Sequence, residues 1–186
     1  MPQRLGEYRD RVIIQRRTDV QDAAGEPRPS WSEFAKRWAK RRVLAGAESF
    51  QGASARQAEH AAEFRTHVTR GVDTRMRVLY PGKVTHLAGA VTSATSTSLS
   101  VASADGFPFE GAHRLRVASE LMDVTAGFGT TTWTVARGVD GTTAATSYAT
   151  GTKVQHMQPY DVEGVHVDWM RGAETVIAGR LSDGIA

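Results

Sequence analysis

The residues in this sequence that could carry chemistry are its histidines and its carboxylates. No two histidines stand in an HxH pattern or four residues apart, so their spacing does not predict a metal site. The histidines are His60, His67, His86, His113, His156 and His166. Because the chain has no cysteine, disulfides, thiol catalysis and cysteine-based zinc sites are excluded.

Two close pairs of acids could be posed for acid–base catalysis, namely Glu120 with Asp123 and Asp161 with Glu163. Acids at such spacing are common on strand surfaces, and the pairs have no accompanying nucleophile motif. The sequence contains neither GxSxG nor the phosphate-binding GxxxxGK[ST] pattern. We therefore predict a protein that is not an enzyme and that needs no cofactor or metal.

The strongest charge feature is a basic cluster in the N-terminal third. It consists of Lys36, Arg37, Lys40, Arg41 and Arg42. It could form a ridge facing DNA phosphates or a subunit interface, or it could be a strand kept soluble by positive charge. Trp31 and Trp38 are interpreted as core residues, which leaves no aromatic side chain to stack on bases. Any DNA contact is therefore predicted to be non-specific.

Composition indicates a globular protein with a core. The chain has 186 residues, of which 40% are apolar and 23% charged, and its formal net charge is +3. It contains no apolar run long enough for a membrane span and no secretory signal pattern, which predicts synthesis in the cytoplasm and no membrane partner.

Short alternating segments predict an all-β fold. Strands are expected at 11–16, 31–44, 62–69, 75–80, 160–167 and 175–181, with 19–30 as a long hairpin connection. The predicted core residues are Trp31, Trp38, Phe64, Val78 and Tyr80, and Trp133 and Trp169 are interpreted in the same way. The Ala-rich stretch 46–59 has one large apolar residue, Phe50, and is predicted to be a mobile loop with a helical turn or two.

A change of composition after Tyr80 predicts an inserted module. Residues 83–157 are rich in Thr, Ser, Ala and Gly and show strand and turn signals at short, regular spacing. We expect a turn at Pro81-Gly82 and a discontinuous core made of 1–82 and 158–186. Residues 83–157 would then be a separate small β domain placed in that turn.

The order and spacing of the core segments resemble the phage head–tail joining proteins, also called head-closure, stopper or head-completion proteins. The segments that carry the resemblance are Arg11–Arg16, Asp22–Pro27, Trp31–Phe34 with Trp38-Ala39, Gly46–Phe50, His67–Arg70 and Met76–Tyr80. The resemblance spans about 8–82 and 159–183, and the module at 83–157 departs from it. That module is similar to small β modules of other phage structural proteins, which share the Arg137–Ala145 ending.

The resemblance implies a small β-barrel-like core and a ring of roughly six or twelve copies in the neck of the virion. It implies contacts with a portal adaptor, with tail proteins and with double-stranded DNA in the channel. The loop that reaches toward the channel corresponds to 46–59. Its candidate gating residues are Glu48, Phe50, Gln51, Arg56 and Gln57.

Two other functions remain open. A tail-terminator or tail-completion ring protein would share the size and the β character. A binding module is the alternative from another class, in which the inserted segment contacts a glycan or a host surface.

Overall fold

The computed structural model describes residues 8–21, 25–44, 61–169 and 173–182. These ranges contain strands and connections but no helix, and the predicted all-β class is confirmed. The strands are β1 (Asp10–Gln21), β2 (Pro27–Val43), β3 (Ala61–His67), β4 (Met76–His86), β5 (Ser98–Ser100), β6 (His113–Val117), β7 (Glu120–Ala126), β8 (Thr132–Ala136), β9 (Lys153–Asp168) and β10 (Glu174–Leu181). The predicted loop and helical turn at 46–59 lie outside the described residues.

Six strands close into a ring of hydrogen-bonded neighbours. Their order is β10-β3-β2-β1-β4-β9, and β9 pairs with β10 again to complete the ring. The last pairing is antiparallel and contains a register shift at Ala178/Gly179. An added Cβ at Gly179 would lie 3.2 Å from Cε2 of Phe64 and 3.2 Å from Cβ of Tyr160, so this position favours glycine. The barrel-like core predicted from the sequence is confirmed.

Alternation along the strands fills the barrel interior. Val12, Ile14, Phe64, Val78 and Ile177 are all fully buried in one apolar cluster. Each such side chain contributes about 1.5–3 kcal/mol when it leaves water. Phe64 also packs edge-on against Tyr160 with ring centroids 5.0 Å apart, and Tyr80 packs against the same cluster. The barrel therefore has its own hydrophobic core.

Two tryptophans predicted to be core residues are exposed, and that interpretation is wrong for them. Trp38 is 52% exposed and Trp169 is 70% exposed. On β2, Ala39 occupies the inward position, so the period-two alternation turns Trp38 to the outside. Trp133 is 1% exposed and Trp31 is half-buried.

The expected turn at Pro81-Gly82 does not exist. Strand β4 continues through both residues to His86, and β9 begins at Lys153, before the predicted start of that strand. Proline fits an extended strand where no ladder hydrogen bond needs its nitrogen. An added Cβ at Gly82 would lie 3.2 Å from Nδ1 of His156, so the glycine permits close approach of two backbones. The hairpin connection at 19–30 is also shorter than expected, because β1 extends to Gln21 and β2 begins at Pro27.

The remaining strands form a second set in the order β9-β6-β7-β8-β5. Leu99, Leu115, Val117, Met122 and Trp133 lie in their shared apolar cluster, each at most 2% exposed. The stretch 87–91 forms two isolated bridges, Leu87 with Val101 and Val91 with Tyr148. This stretch is irregular because its ends pair with two different partners.

The chain divides into two compact units. The first comprises Met1–Arg17, Glu33–Tyr80 and Pro159–Ser182, and the second comprises Thr18–Ser32, Pro81–Gln158 and Asp183–Ala186. The predicted domain boundaries, with an inserted module at 83–157, stay a prediction.

Candidate assembly surface

The basic cluster on β2 does not form a single ridge. Trp38, Lys40 and Arg42 are exposed, whereas Ala39 between them is buried and Arg41 is half-buried. We name the outward trio Trp38, Lys40 and Arg42 the basic face. In the pairing with β3, Lys40 lies opposite Arg65 and Arg42 lies opposite Glu63.

Arg41 points the other way, toward two tyrosines at the barrel core. Its guanidinium lies 4.6 Å from the ring centroid of Tyr80 and 5.4 Å from that of Tyr160. The Tyr80 hydroxyl donates to Asp10 Oδ2 at 2.8 Å. Burial raises the pKa of Tyr80, the hydrogen bond to Asp10 raises it further, and Arg41 opposes both. Within the described residues, Arg41 Nε is buried without a hydrogen-bond partner, and both tyrosine rings lie within cation–π range of the guanidinium.

The other two members of the cluster serve local structure. Arg37 donates from Nε to Thr69 Oγ1 at 3.0 Å and from Nη1 to the Lys36 carbonyl at 2.9 Å. Lys36 Nζ lies 2.7 Å from Glu33 Oε2. Of the predicted cluster, the residues turned outward and exposed are thus Lys40 and Arg42.

On the outside of β3, charges are neutralised locally. Arg65 Nε donates to Glu63 Oε1 at 2.6 Å, and Arg65 Nη1 reaches Glu174 at 3.4 Å and Asp168 at 3.5 Å. The hydrogen bond that Arg65 donates to Glu63 raises the pKa of Arg65 against the effect of burial. The Tyr8 hydroxyl also donates to Glu174. Arg65 therefore joins one carboxylate of its own strand and one each from β9 and β10 in a single ion-pair network.

A different charge pattern marks β9. Asp161 and Glu163 are exposed, while Tyr160 and Val162 beside them are buried in the barrel core. We name Asp161 and Glu163 the acidic face. The Arg180 guanidinium lies 4.0 Å from Glu163, with 42% and 54% of the two side chains exposed. At that distance and exposure the ion pair is weak. These two acids are one of the pairs considered above for acid–base catalysis, and they lie in open solvent.

In the second unit, the segment 137–145 after β8 is held to the side chain of Glu120 by hydrogen bonds, and we name this arrangement the Glu120 clamp. Arg137 donates from Nε and Nη2 to the two oxygens of Glu120 at 2.6 and 2.8 Å. The same carboxylate accepts from the backbone of Gly138 and Ala145, each at 3.0 Å, and from the Tyr148 hydroxyl at 2.8 Å. Burial alone would raise the pKa of Glu120, but these five hydrogen bonds outweigh it and lower that pKa. Burial and the Glu120 charge together raise the pKa of Tyr148.

A second buried ion pair supports the same segment. Arg114 donates to both oxygens of Asp123, at 2.8 and 2.9 Å, and to Asp140. Asp140 has a φ of +53°, which a short polar side chain tolerates better than most. The other acid pair considered above, Glu120 with Asp123, is therefore divided between two arginines. The contacts of Arg114 with Asp123 and Asp140 hold the turn at Asp140 beside β6 and β7.

Two histidines are buried together beside the core of the second unit. The rings of His113 and His156 have centroids 5.6 Å apart, with Phe107 and Trp133 around them. Burial lowers the pKa of His156 to about 4, and the neighbouring His113 adds to the effect. Burial also lowers the pKa of His113, against a hydrogen bond to the Gly111 carbonyl. Both imidazoles are neutral at pH 7.

Within the described ranges, no three or more His, Asp or Glu side chains are gathered as metal ligands would be. The same ranges offer no helix with the length and apolarity that a bilayer crossing requires. The charged and aromatic residues exposed on β2 and β9 are therefore the features of the first unit most suited to contact with other macromolecules.

Comparison with protein families identifies the class of protein. The sequence model of a family described as phage head completion protein matches residues 4–96, which is half of the chain. The chain belongs to the phage head completion protein family. This membership makes it a structural virion component with a role in joining head to tail, in contact with other virion proteins. The resemblance noted in the sequence is confirmed, and a search of curated proteins found no match.

The family match covers only part of this head completion protein. It includes β1 to β4, and it ends before β5. Strands β9 and β10, which close the barrel, lie beyond the matched residues. The predicted gating residues, Glu48, Phe50, Gln51, Arg56 and Gln57, lie within the match but outside the described residues.

The sequence analysis did not separate the outward-facing residues of the basic cluster from Arg41, which faces the barrel core. It treated all five residues as one surface, although period-two alternation predicts that Arg41 and Arg42 face opposite ways. It also missed the Glu120 clamp. The signal was present in the spacing of glycines at 138 and 141, both of which have positive φ and turn the chain back toward β7.

Proposed function

We propose that this head completion protein forms the closure ring of the virion neck. The ring retains packaged DNA in the head and provides the surface on which the tail docks. The observation that carries the proposal is membership of the head completion family by a chain in which six strands close into a barrel. A barrel with every strand paired is a rigid building block suited to repeated assembly.

The expected partners are further copies of the chain, a portal adaptor, tail proteins and double-stranded DNA. DNA passes through the channel without sequence recognition, and the protein contributes no catalysis. We assign the gate to 46–59, following the resemblance noted in the sequence, with Glu48, Gln51, Arg56 and Gln57 as its polar residues. Polar residues suit a gate because DNA must move past them without binding tightly.

A phage carrying a nonsense mutation in the gene tests this function directly. We expect filled heads that lose DNA and do not join tails, and we expect addition of the purified protein to restore infectious particles. Overlong or unfinished tails beside stable, DNA-filled heads would instead identify a tail terminator. Heads that keep their DNA and join tails without the protein would refute both assignments.

The gate is tested by deleting Gln51–Gln57 from the same gene. Heads should assemble and then leak DNA, measured as nuclease-sensitive DNA per particle. A matched control replaces the same seven positions with a Gly/Ser segment of equal length, which keeps the loop while removing its side chains. Unchanged DNA retention in both variants would contradict the gating role.

A further inference from the structure

The basic face and the acidic face lie on opposite sides of the barrel. In the ring order β10-β3-β2-β1-β4-β9, strands β2 and β9 are separated by two strands in either direction. Side chains that point outward from these two strands therefore face away from each other. A single chain cannot bring the two faces together, but two chains can.

The two faces are complementary in charge. The basic face presents Lys40 and Arg42, and the acidic face presents Asp161 and Glu163. The cross-strand neighbour of Arg42 is Glu63, whose carboxylate is already engaged by Arg65 at 2.6 Å. Complementary potentials of this kind set the orientation and register of an interface.

An exposed tryptophan also lies on β2 and directly after β9. Trp38 lies within the basic face at 52% exposure, and Trp169 follows the end of β9 at 70% exposure. Tryptophan and arginine are enriched among the residues that dominate binding energy at protein interfaces. An exposed tryptophan beside an arginine is therefore better suited to a protein partner than to a passing DNA backbone.

We infer that the basic face of one copy binds the acidic face of the next copy, head to tail. This inference rests on the proposed ring and assigns its subunit contact. Contacts between different faces of identical subunits generate a closed ring when the rotation between subunits closes. Because every barrel strand is already paired on both sides, the contact is made by side chains. Arg42 and Glu163 are the charges expected to meet, with Trp38 as the apolar anchor.

Charge reversal of the full-length protein tests the contact. Arg42→Glu and Glu163→Lys are purified separately, and their self-association is compared with that of the wild type by sedimentation velocity and native mass spectrometry. Each variant should require about tenfold more protein for half-assembly, because each places like charges across every contact. Mixing the two variants in equal amounts should restore assembly. In an alternating ring, one contact regains the native pair and the next contains the reversed pair.

Two exposed charges outside both faces provide matched controls. Arg75→Glu and Glu110→Lys make the same chemical changes and should leave assembly at the wild-type concentration. Circular dichroism melting of each variant confirms that the fold is retained. An equal mixture of the two control variants should also assemble at the wild-type concentration, which excludes a general effect of net charge.

The outcomes separate this inference from the proposed function. If the wild type assembles and Arg42→Glu and Glu163→Lys assemble equally well, the assigned contact is wrong and the ring proposal stands. If Arg42→Glu lowers DNA binding in a filter assay but not assembly, the basic face serves DNA and the inference is overturned. If the wild type stays monomeric at every concentration, proposed ring and contact both fail. Weak assembly of the single variants with recovery on mixing supports the contact.

Discussion

Acidification should destabilise the second unit through its buried histidine pair. In the folded chain the pKa of His156 is lowered from its ordinary value of 6.5 to about 4, by burial and by His113. The folded state therefore holds a neutral imidazole at pH values where the unfolded state binds a proton. Stability contributed by the neutral imidazole is present above the unfolded pKa and is lost as the pH falls from 6.5 toward 4.

The expected size follows from these two values. At pH 5 the unfolded imidazole is almost fully protonated, whereas the folded imidazole is mostly neutral. Relative to pH 7.5, the free energy of unfolding should be smaller by about 2 kcal/mol from His156 alone. His113 acts in the same direction, because burial lowers its pKa too. The lowered pKa of Glu120 contributes only at more acidic pH, since its ordinary value is 4.5.

Urea unfolding at pH 7.5 and pH 5 measures this effect. In His156→Gln the side chain no longer titrates, and the loss on acidification should shrink by about 2 kcal/mol relative to the wild type. The exposed His86 gives a matched control, His86→Gln, which should retain the full wild-type loss. The reasoning is refuted if His156→Gln and the wild type lose equal stability between the two pH values. A second check is the imidazole proton signal of His156, which should titrate near pH 4.

Three substitutions test other features of the fold by thermal and urea denaturation. Glu120→Gln should cost about 3 kcal/mol because it leaves Arg137 buried without its counter-charge, whereas the exposed Glu110→Gln should be neutral, and equal effects would contradict the clamp. Gly127→Ala should cost about 2–3 kcal/mol, since a Cβ would lie 2.3 Å from the Thr132 carbonyl oxygen at a φ of +82°. Gly151→Ala, at a φ of +83° with open space around it, should cost only about 1 kcal/mol, and a similar loss at both glycines would exclude the steric explanation. Trp38→Ala should change stability by less than about 0.5 kcal/mol because the side chain is half exposed, and a loss of several kcal/mol would show that it packs in the core.

The strands of the barrel were predictable because their alternation is local. Phe64 and Thr66 alternate with Glu63 and Arg65, and this pattern alone identifies a half-buried strand. The closing contact between β9 and β10 was also accessible, because a short connection between two β-rich segments favours a hairpin. The order and spacing of these segments carried the family resemblance.

The course of β4 past Tyr80 was not predictable from local signals. Pro81-Gly82 has the composition of a turn, and only the close approach of Gly82 to His156, far along the chain, explains why it lies in a strand. The exposure of Trp38 was missed for a related reason. A large apolar side chain is usually buried, and the alternation that turns it outward depends on Ala39, a residue with little hydrophobic signal of its own.

The closed pairing of the six barrel strands protects the protein against edge-to-edge pairing with other copies of itself during assembly. In the proposed neck ring, identical β-rich chains lie side by side, and an open strand edge would pair with a neighbouring chain into a continuous sheet. Here the strand order ends at β5, which is three residues long and is followed by Val101, bridged to Leu87. At the seam of the barrel, β9 and β10 pair with each other. Growth by strand exchange is thereby disfavoured. The number of subunits in the proposed ring can then be set by surface chemistry and by the particle that receives them.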